Sequence, residues 1–134
     1  MIDVREELEA GFIEHAIAVI NDEDLAELRS LCTAMRQRAE VGEAFLDMDL
    51  DFHATIYRRL NNRVLMKLLD IFCTIYKNLR GSSLLIARNP VAEADKHEES
   101  LQAIAAKNVP LARRCMREHF SGIRVRLSAA LASE

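Results

Sequence analysis

A chain of 134 residues with a formal net charge of −3 is long enough for one domain with its own core, and its charge balance argues against nucleic acid or an anionic membrane as the main partner. Half of the residues are hydrophobic, while only four glycines and two prolines are available for turns. That scarcity excludes a turn-rich β architecture and predicts an all-α fold, an antiparallel six-helix bundle. No run of about 18 apolar residues occurs and no charged-then-apolar leader opens the chain, so a soluble, cytoplasmic protein with no membrane partner is expected.

The first helix is predicted from about Val4 to Ile20, with Val4, Leu8, Phe12, Ala16 and Val19 on its inner stripe. The run Asn21-Asp22-Glu23-Asp24 breaks it and caps a second helix, about Glu23 to Ala39, on which Leu25, Leu28, Leu31, Cys32 and Met35 recur. Val41-Gly42 closes that helix. A third is expected over about Glu43 to Leu60, and Asn62 caps a fourth, about Arg63 to Ala87. Asn89-Pro90 ends the fourth, because a residue before proline is pushed out of helical geometry. The fifth covers about Val91 to Lys107, and Asn108 caps a sixth that tolerates Pro110 in its first turn. Connections this short imply antiparallel neighbours.

Three cysteines, Cys32, Cys73 and Cys115, are widely spaced and form no C-x-x-C pair, the pattern of reduced core thiols. The basic residues Lys107, Arg113, Arg114, Arg117, Arg124 and Arg126 read as a solvated helix face rather than a phosphate-binding surface.

The stretch 45-FLDMDLDFH-53 breaks the apolar pattern. Residues four apart stack on one helix face, so Asp49 and His53 share the inward stripe of Phe45, Phe52, Ile56 and Leu60, whereas Asp47 and Asp51 point elsewhere. An unpartnered aspartate facing a core costs several kcal/mol, or is neutralised. An Asp and a His four apart can grip one divalent cation from a single helix. His97 precedes Leu101 and Ile104 on the inner stripe of the fifth helix, and His119 follows Ala112, Cys115 and Met116 on that of the sixth. The fourth histidine, His15, lies beside Glu14 at a stripe edge, a surface or interface position. Taken singly, each inward histidine also fits a hydrogen-bonded core residue, and Asp49 could pair with His53 or Arg80 with no metal present. The residues alone leave both readings open.

Together these pieces resemble the FCD domain, the C-terminal effector-binding domain of GntR-type (FadR-subfamily) transcriptional regulators. The run 49-DLDFH-53 with 56-IYRRLNN-62 is similar to the family's D-x-x-F-H…N signature. The run 97-HEESLQAIAAKNVPLARRCMREHF-120 resembles its second half, and 4-VREELE-9 resembles the start of its first helix. Six helices match the shorter, VanR-like version. Asn108 stands where the family usually has aspartate, and Asn61 where it usually has glycine.

The resemblance implies that Asp49, His53, His97 and His119 bind a metal inside the bundle, Zn or Ni first and Mn or Fe next. It implies a small carboxylate or hydroxy acid as effector, a homodimer, and DNA contact only through a winged helix-turn-helix domain expected to lie outside residues 1–134. On the fourth helix Tyr76, Arg80 and Ser83 are candidates to meet the effector, Arg80 by pairing with a second carboxylate. A non-enzyme is expected. Di-iron bundles use Glu-x-x-His pairs, and the residues three before the histidines are Phe12, Leu50, Ala94 and Met116. A metalloenzyme and a metal-stapled interaction module remain the alternatives.

Overall fold

Polar punctuation sets the helix boundaries. The computed structural model describes residues 2–79 and 89–132. The elements are α1 (Ile2–Val19), α2 (Asp22–Glu40), α3 (Leu46–Tyr57) with a single 3-10 turn (Arg58–Leu60) at its end, α4 (Arg63–Leu79), α5 (Pro90–Ala105) and α6 (Val109–Ala132). Among the described residues there is no strand. The all-α expectation holds, six helices included.

Asn21 caps α2 through a reciprocal box: its side chain accepts from the Asp24 N–H, and Asp24 accepts from the Asn21 N–H. Gly42, at φ 76°, takes the left-handed position just beyond α2, where the Gly42 and Glu43 N–H groups close back on Ala39 and Arg38. This closure occupies residues that the sequence pattern assigned to the third helix, so α3 begins only at Leu46. Asn61 adopts φ 53° between the 3-10 turn and α4. That is a left-handed position, which explains why glycine and asparagine are exchangeable there. Asn62, Asn89 and Asn108 each accept an N–H from the first turn of α4, α5 and α6. Pro90 is the first residue of α5, not a stop before it, because its missing N–H has no intrahelical partner to lose.

α1 packs along α6, α2 packs against α5 and α3, and α5 against α6. The core between them holds Ile13, Leu28, Met35, Phe52, Tyr57 and Phe120. Burial of each such side chain contributes roughly 1.5–3 kcal/mol.

α1 is rotated relative to the predicted stripe. Val4 and Val19 are 54 % and 43 % exposed, and Leu8 and Phe12 only half-buried beside a surface groove that also touches His15. The inner face is Ile2, Arg5, Glu9, Ile13 and Ala16. Its 3-4-4-3 spacing is as helical as the apolar one, and it carries two charges that pair with each other. The basic side of α6 is likewise engaged rather than merely solvated. Arg113 reaches Glu14 and the Ala10 carbonyl, Arg117 reaches Glu6 and Glu7, and Arg124 reaches Asp3 and Glu6. Exposed pairs of this kind are worth roughly 0–1 kcal/mol each, but together they fix the register of α1 on α6.

Asp24 also anchors the end of α3. Its buried carboxylate accepts Arg59 Nε at 2.6 Å and Arg58 Nη2 at 3.1 Å. The Arg59 hydrogen bond first, then those of Arg58 and the Asn21 N–H, outweigh burial and hold its pKa at about 2, from an ordinary 3.8. The folded value lies below the unfolded one, so the stabilisation is full above about pH 4 and is lost as pH falls towards 2. Asp24→Ala should therefore lower unfolding free energy at pH 7 by about 1–2 kcal/mol, with the deficit closing between pH 4 and 2. Urea denaturation across that range checks it; a pH-independent deficit would contradict this role for Asp24.

Candidate metal centre

Asp49 and His53 stand one turn apart on α3, His97 on α5 and His119 on α6. These three helices turn the four side chains to one point: one ligand atom from each lies within 4.8 Å of all the others. Asp49 Oδ1 is 2.7 Å from His97 Nε2, 3.1 Å from His53 Nε2 and 3.9 Å from His119 Nε2. The Asp49 side chain keeps 18 % of its surface exposed, while those of His53 and His97 keep 4 %. Rings of Phe52 and Phe120 wall the cluster edge-on. The inward placement read from the sequence holds for all four residues.

The ring nitrogens are not equivalent. His97 Nδ1 donates to the Glu93 carbonyl at 2.7 Å, and His53 Nδ1 donates to Glu9 Oε1 at 2.5 Å. Each ring thus spends its Nδ1–H outward and turns Nε2 towards Asp49. In a neutral imidazole that Nε2 carries a lone pair. Lone pairs facing a carboxylate repel, unless extra protons or a shared cation sit between them. Without a metal, protons serve. Burial opposes a charge on His53, but the Glu9 carboxylate, the close approach of Asp49 and the hydrogen bond to Glu9 raise its pKa to about 9. His119 goes the other way: burial first, and then the neighbouring His53 and His97, hold it well below its usual value despite Asp49. Burial would raise Asp49, yet His97 and His119, with the approach of His53 and the His97 hydrogen bond, hold it well below 3.8.

Two nitrogens show what the cluster lacks. Among the described residues, buried His53 Nε2 and His119 Nε2 have no hydrogen-bond partner, the 3.1 Å approach of His53 to Asp49 being misaligned for one. Unsatisfied buried nitrogens aimed at a carboxylate fit a divalent cation with N and O ligands. The donor set, three imidazoles and one carboxylate, suits Zn, Ni, Mn or Fe and lacks the thiolates of a closed structural zinc site. Cys115 borders a small cavity beside His53, His97 and His119, and burial first raises its pKa, as befits a packed thiol.

Two residues that the sequence reading passed over complete the centre. Arg5 and Glu9, on α1, are 4 % and 0 % exposed and pair at 2.6 Å. Burial opposes ionisation of Glu9, but His53 and Arg5 hold its pKa low. The Glu9 carbonyl also accepts the Tyr57 hydroxyl at 2.7 Å. Arg5 lies over the rings of Tyr76 and Phe120, 4.9 and 5.0 Å from their centres. An i, i+4 charged pair on an inward stripe was the available signal, of the same kind that marked Asp49 and His53. Of the effector candidates, Tyr76 is buried with its hydroxyl unpartnered among the described residues, and Arg80 and Ser83 lie outside the described residues.

Comparison with known proteins follows this geometry. The family model of the FCD domain matches residues 1–122. The solved structure of E. coli McbR/YncC superposes with a TM-score of 0.76 at 22 % identity, covering 98 % of this chain and 62 % of that one. At that identity the likeness shows a shared fold, and this chain spans under two thirds of the other's length. No curated protein matches the sequence significantly. Among the described residues, no helix is long and apolar enough to cross a membrane.

The unpartnered Tyr76 hydroxyl has a measurable consequence. A buried hydroxyl without a partner has lost its water for no replacement bond, so Tyr76→Phe should leave the ligand-free protein as stable as before or more stable by up to about 1–3 kcal/mol. A loss above about 1.5 kcal/mol in urea denaturation would reveal a hydrogen bond on that hydroxyl.

Proposed function

We propose that this chain, which belongs to the FCD domain family, is the metal-dependent effector-sensing domain of a GntR-type transcriptional regulator. The observation that carries the proposal is the convergence of Asp49, His53, His97 and His119, with two imidazole nitrogens left without partners among the described residues. A bound divalent ion supplies Lewis acidity and a coordination position open to an anionic oxygen.

Charge determines the effector class. With neutral imidazoles, the buried groups Arg5, Glu9 and Asp49 sum to one negative charge. A divalent ion turns that sum to one positive charge, which favours a small carboxylate or hydroxy acid and disfavours a neutral or cationic ligand. Arg5 and the Tyr76 hydroxyl stand beside the cluster with polar groups suited to a carboxylate or hydroxyl. In the whole regulator the effector would shift the packing of the helices that hold the centre. Paired winged-helix domains outside these residues would then sit differently on their operator. A homodimer, a cytoplasmic location and a single sensing domain over residues 1–134 belong to the same proposal.

The chemistry of the site disfavours an enzyme. Hydrolysis at such a metal needs a free general base. The nearest further carboxylate, Glu9, has one oxygen on His53 and the other on Arg5. FCD membership points the same way.

The purified protein should hold one equivalent of divalent metal per chain. At a free metal concentration a hundred times its Kd, the ion should add about 2.7 kcal/mol to stability. Asp49→Ala should lose both the metal and that increment; metal analysis with thermal denaturation reads this, and equal metal content in the variant would refute the site. Calorimetric titration of metal-loaded protein with a panel of small carboxylic and hydroxy acids should find a binder whose heat vanishes when the metal is stripped. No binder in the panel, or one indifferent to metal, would refute the sensing mechanism.

A further inference from the structure

We infer that Glu9, with Arg5, is the positioning residue of the metal centre: it fixes the ring of His53 so that Nε2 faces the ion, and it ties α1 to the site. The inference rests on the metal reading above and adds to it residues outside the Asp49, His53, His97 and His119 set.

Three observations converge on Glu9. It is 0 % exposed on a helix with ample surface for a glutamate, so its place in the core needs a cause. Its two oxygens face two different donors, His53 Nδ1 at 2.5 Å through Oε1 and Arg5 Nε at 2.6 Å through Oε2. Its main-chain carbonyl is held independently by Tyr57, from the end of α3. The carboxylate is therefore delivered to His53 from a fixed position.

A metal-bound imidazole is oriented by what its other nitrogen donates to, and a carboxylate partner also raises its basicity as a ligand. His97 has a backbone partner, the Glu93 carbonyl one turn earlier on its own helix. His53 instead depends on a side chain from α1. Arg5 holds the second oxygen of Glu9 and stops its carboxylate from swinging away. It also explains why the residue is glutamate: two acceptor oxygens are needed for two donors, and glutamine offers one.

That last point supplies the test. In Glu9→Gln the single amide oxygen cannot serve both Arg5 and His53. The charged donor Arg5 takes it, and the amide N–H₂ then faces His53 Nδ1. The ring must accept there, so its proton moves to Nε2 and blocks the metal. Nickel and zinc affinity, measured by competition with a chelator on folded protein, should fall 10–100-fold. Adding Arg5→Met frees the amide oxygen for His53 and should restore affinity to within about fivefold of wild type, an estimate from the same second-shell magnitude. Tyr57→Phe frees the Glu9 main chain but keeps the carboxylate–His53 hydrogen bond, so it should lower affinity by clearly less than Glu9→Gln does. In zinc-loaded wild-type protein, ¹⁵N NMR of the His53 ring should show a protonated Nδ1 and a metal-bound Nε2.

Each alternative result is decisive. Wild-type affinity in Glu9→Gln, or a double variant as weak as the single one, overturns the positioning role while leaving the metal site standing. An equal loss in Tyr57→Phe assigns the effect to packing and overturns it too. Wild-type protein that binds neither metal overturns the metal reading itself, and this inference with it.

Discussion

The centre of this molecule is a carboxylate that cannot be left alone. Asp49 turns into a helical bundle where three imidazoles present Nε2 atoms to it, two without hydrogen-bond partners among the described residues. Protons can hold that arrangement together at His53, and a divalent cation can hold it through all four groups at once. The rest of the fold keeps those groups from separating. α5 and α6 are each anchored by interhelical ion pairs close to the histidine they carry: Arg36 of α2 ties down Asp95 and Glu98 on either side of His97, and Arg117, two residues before His119, reaches Glu6 and Glu7 of α1.

α1 is more than a wall of this bundle. Its outer side carries an apolar stripe left partly exposed, Val4, Leu8, Phe12 and Val19, while its otherwise apolar inner side buries the charged pair Arg5 and Glu9. That inversion makes sense once Arg5 and Glu9 are counted as part of the centre and not of the core. The burial of a salt bridge is rarely favourable by itself. Here the pair also receives the Nδ1–H of His53, so its position gives that buried ring a fixed partner. Because Tyr57 grips the same turn of α1, any change in how α3 sits around the centre reaches the first helix of the domain directly.

The sequence made the helices and three of the four site-bearing faces legible, because asparagine caps and 3.6-residue spacing act locally. Asn21, Asn62 and Asn108 marked helix starts that the structure places within a residue or two, and Asn89, read as the end of the fourth helix, caps α5 as well. Asp49, His53, His97 and His119 stood out as polar residues on apolar stripes, and they meet in space. The face of α1 was not legible. Two stripes at helical spacing compete there, and the apolar one is the intuitive choice. Choosing between them requires knowing that Glu9 meets His53, forty-four positions away. The start of α3 was lost for a local reason, the glycine-centred closure of α2 that consumes Gly42 and Glu43. The engagement of the α6 arginines was hidden because their partners lie about a hundred residues earlier on α1.

Anomalous diffraction from a crystal of the metal-loaded protein, collected on both sides of the absorption edge, addresses the central claim most directly. The account expects one peak per chain, about 2.0–2.2 Å from an Asp49 oxygen and from Nε2 of His53, His97 and His119, with at least one further light-atom ligand not supplied by these four. A peak elsewhere, or a closed four-coordinate site with no such ligand, would contradict it.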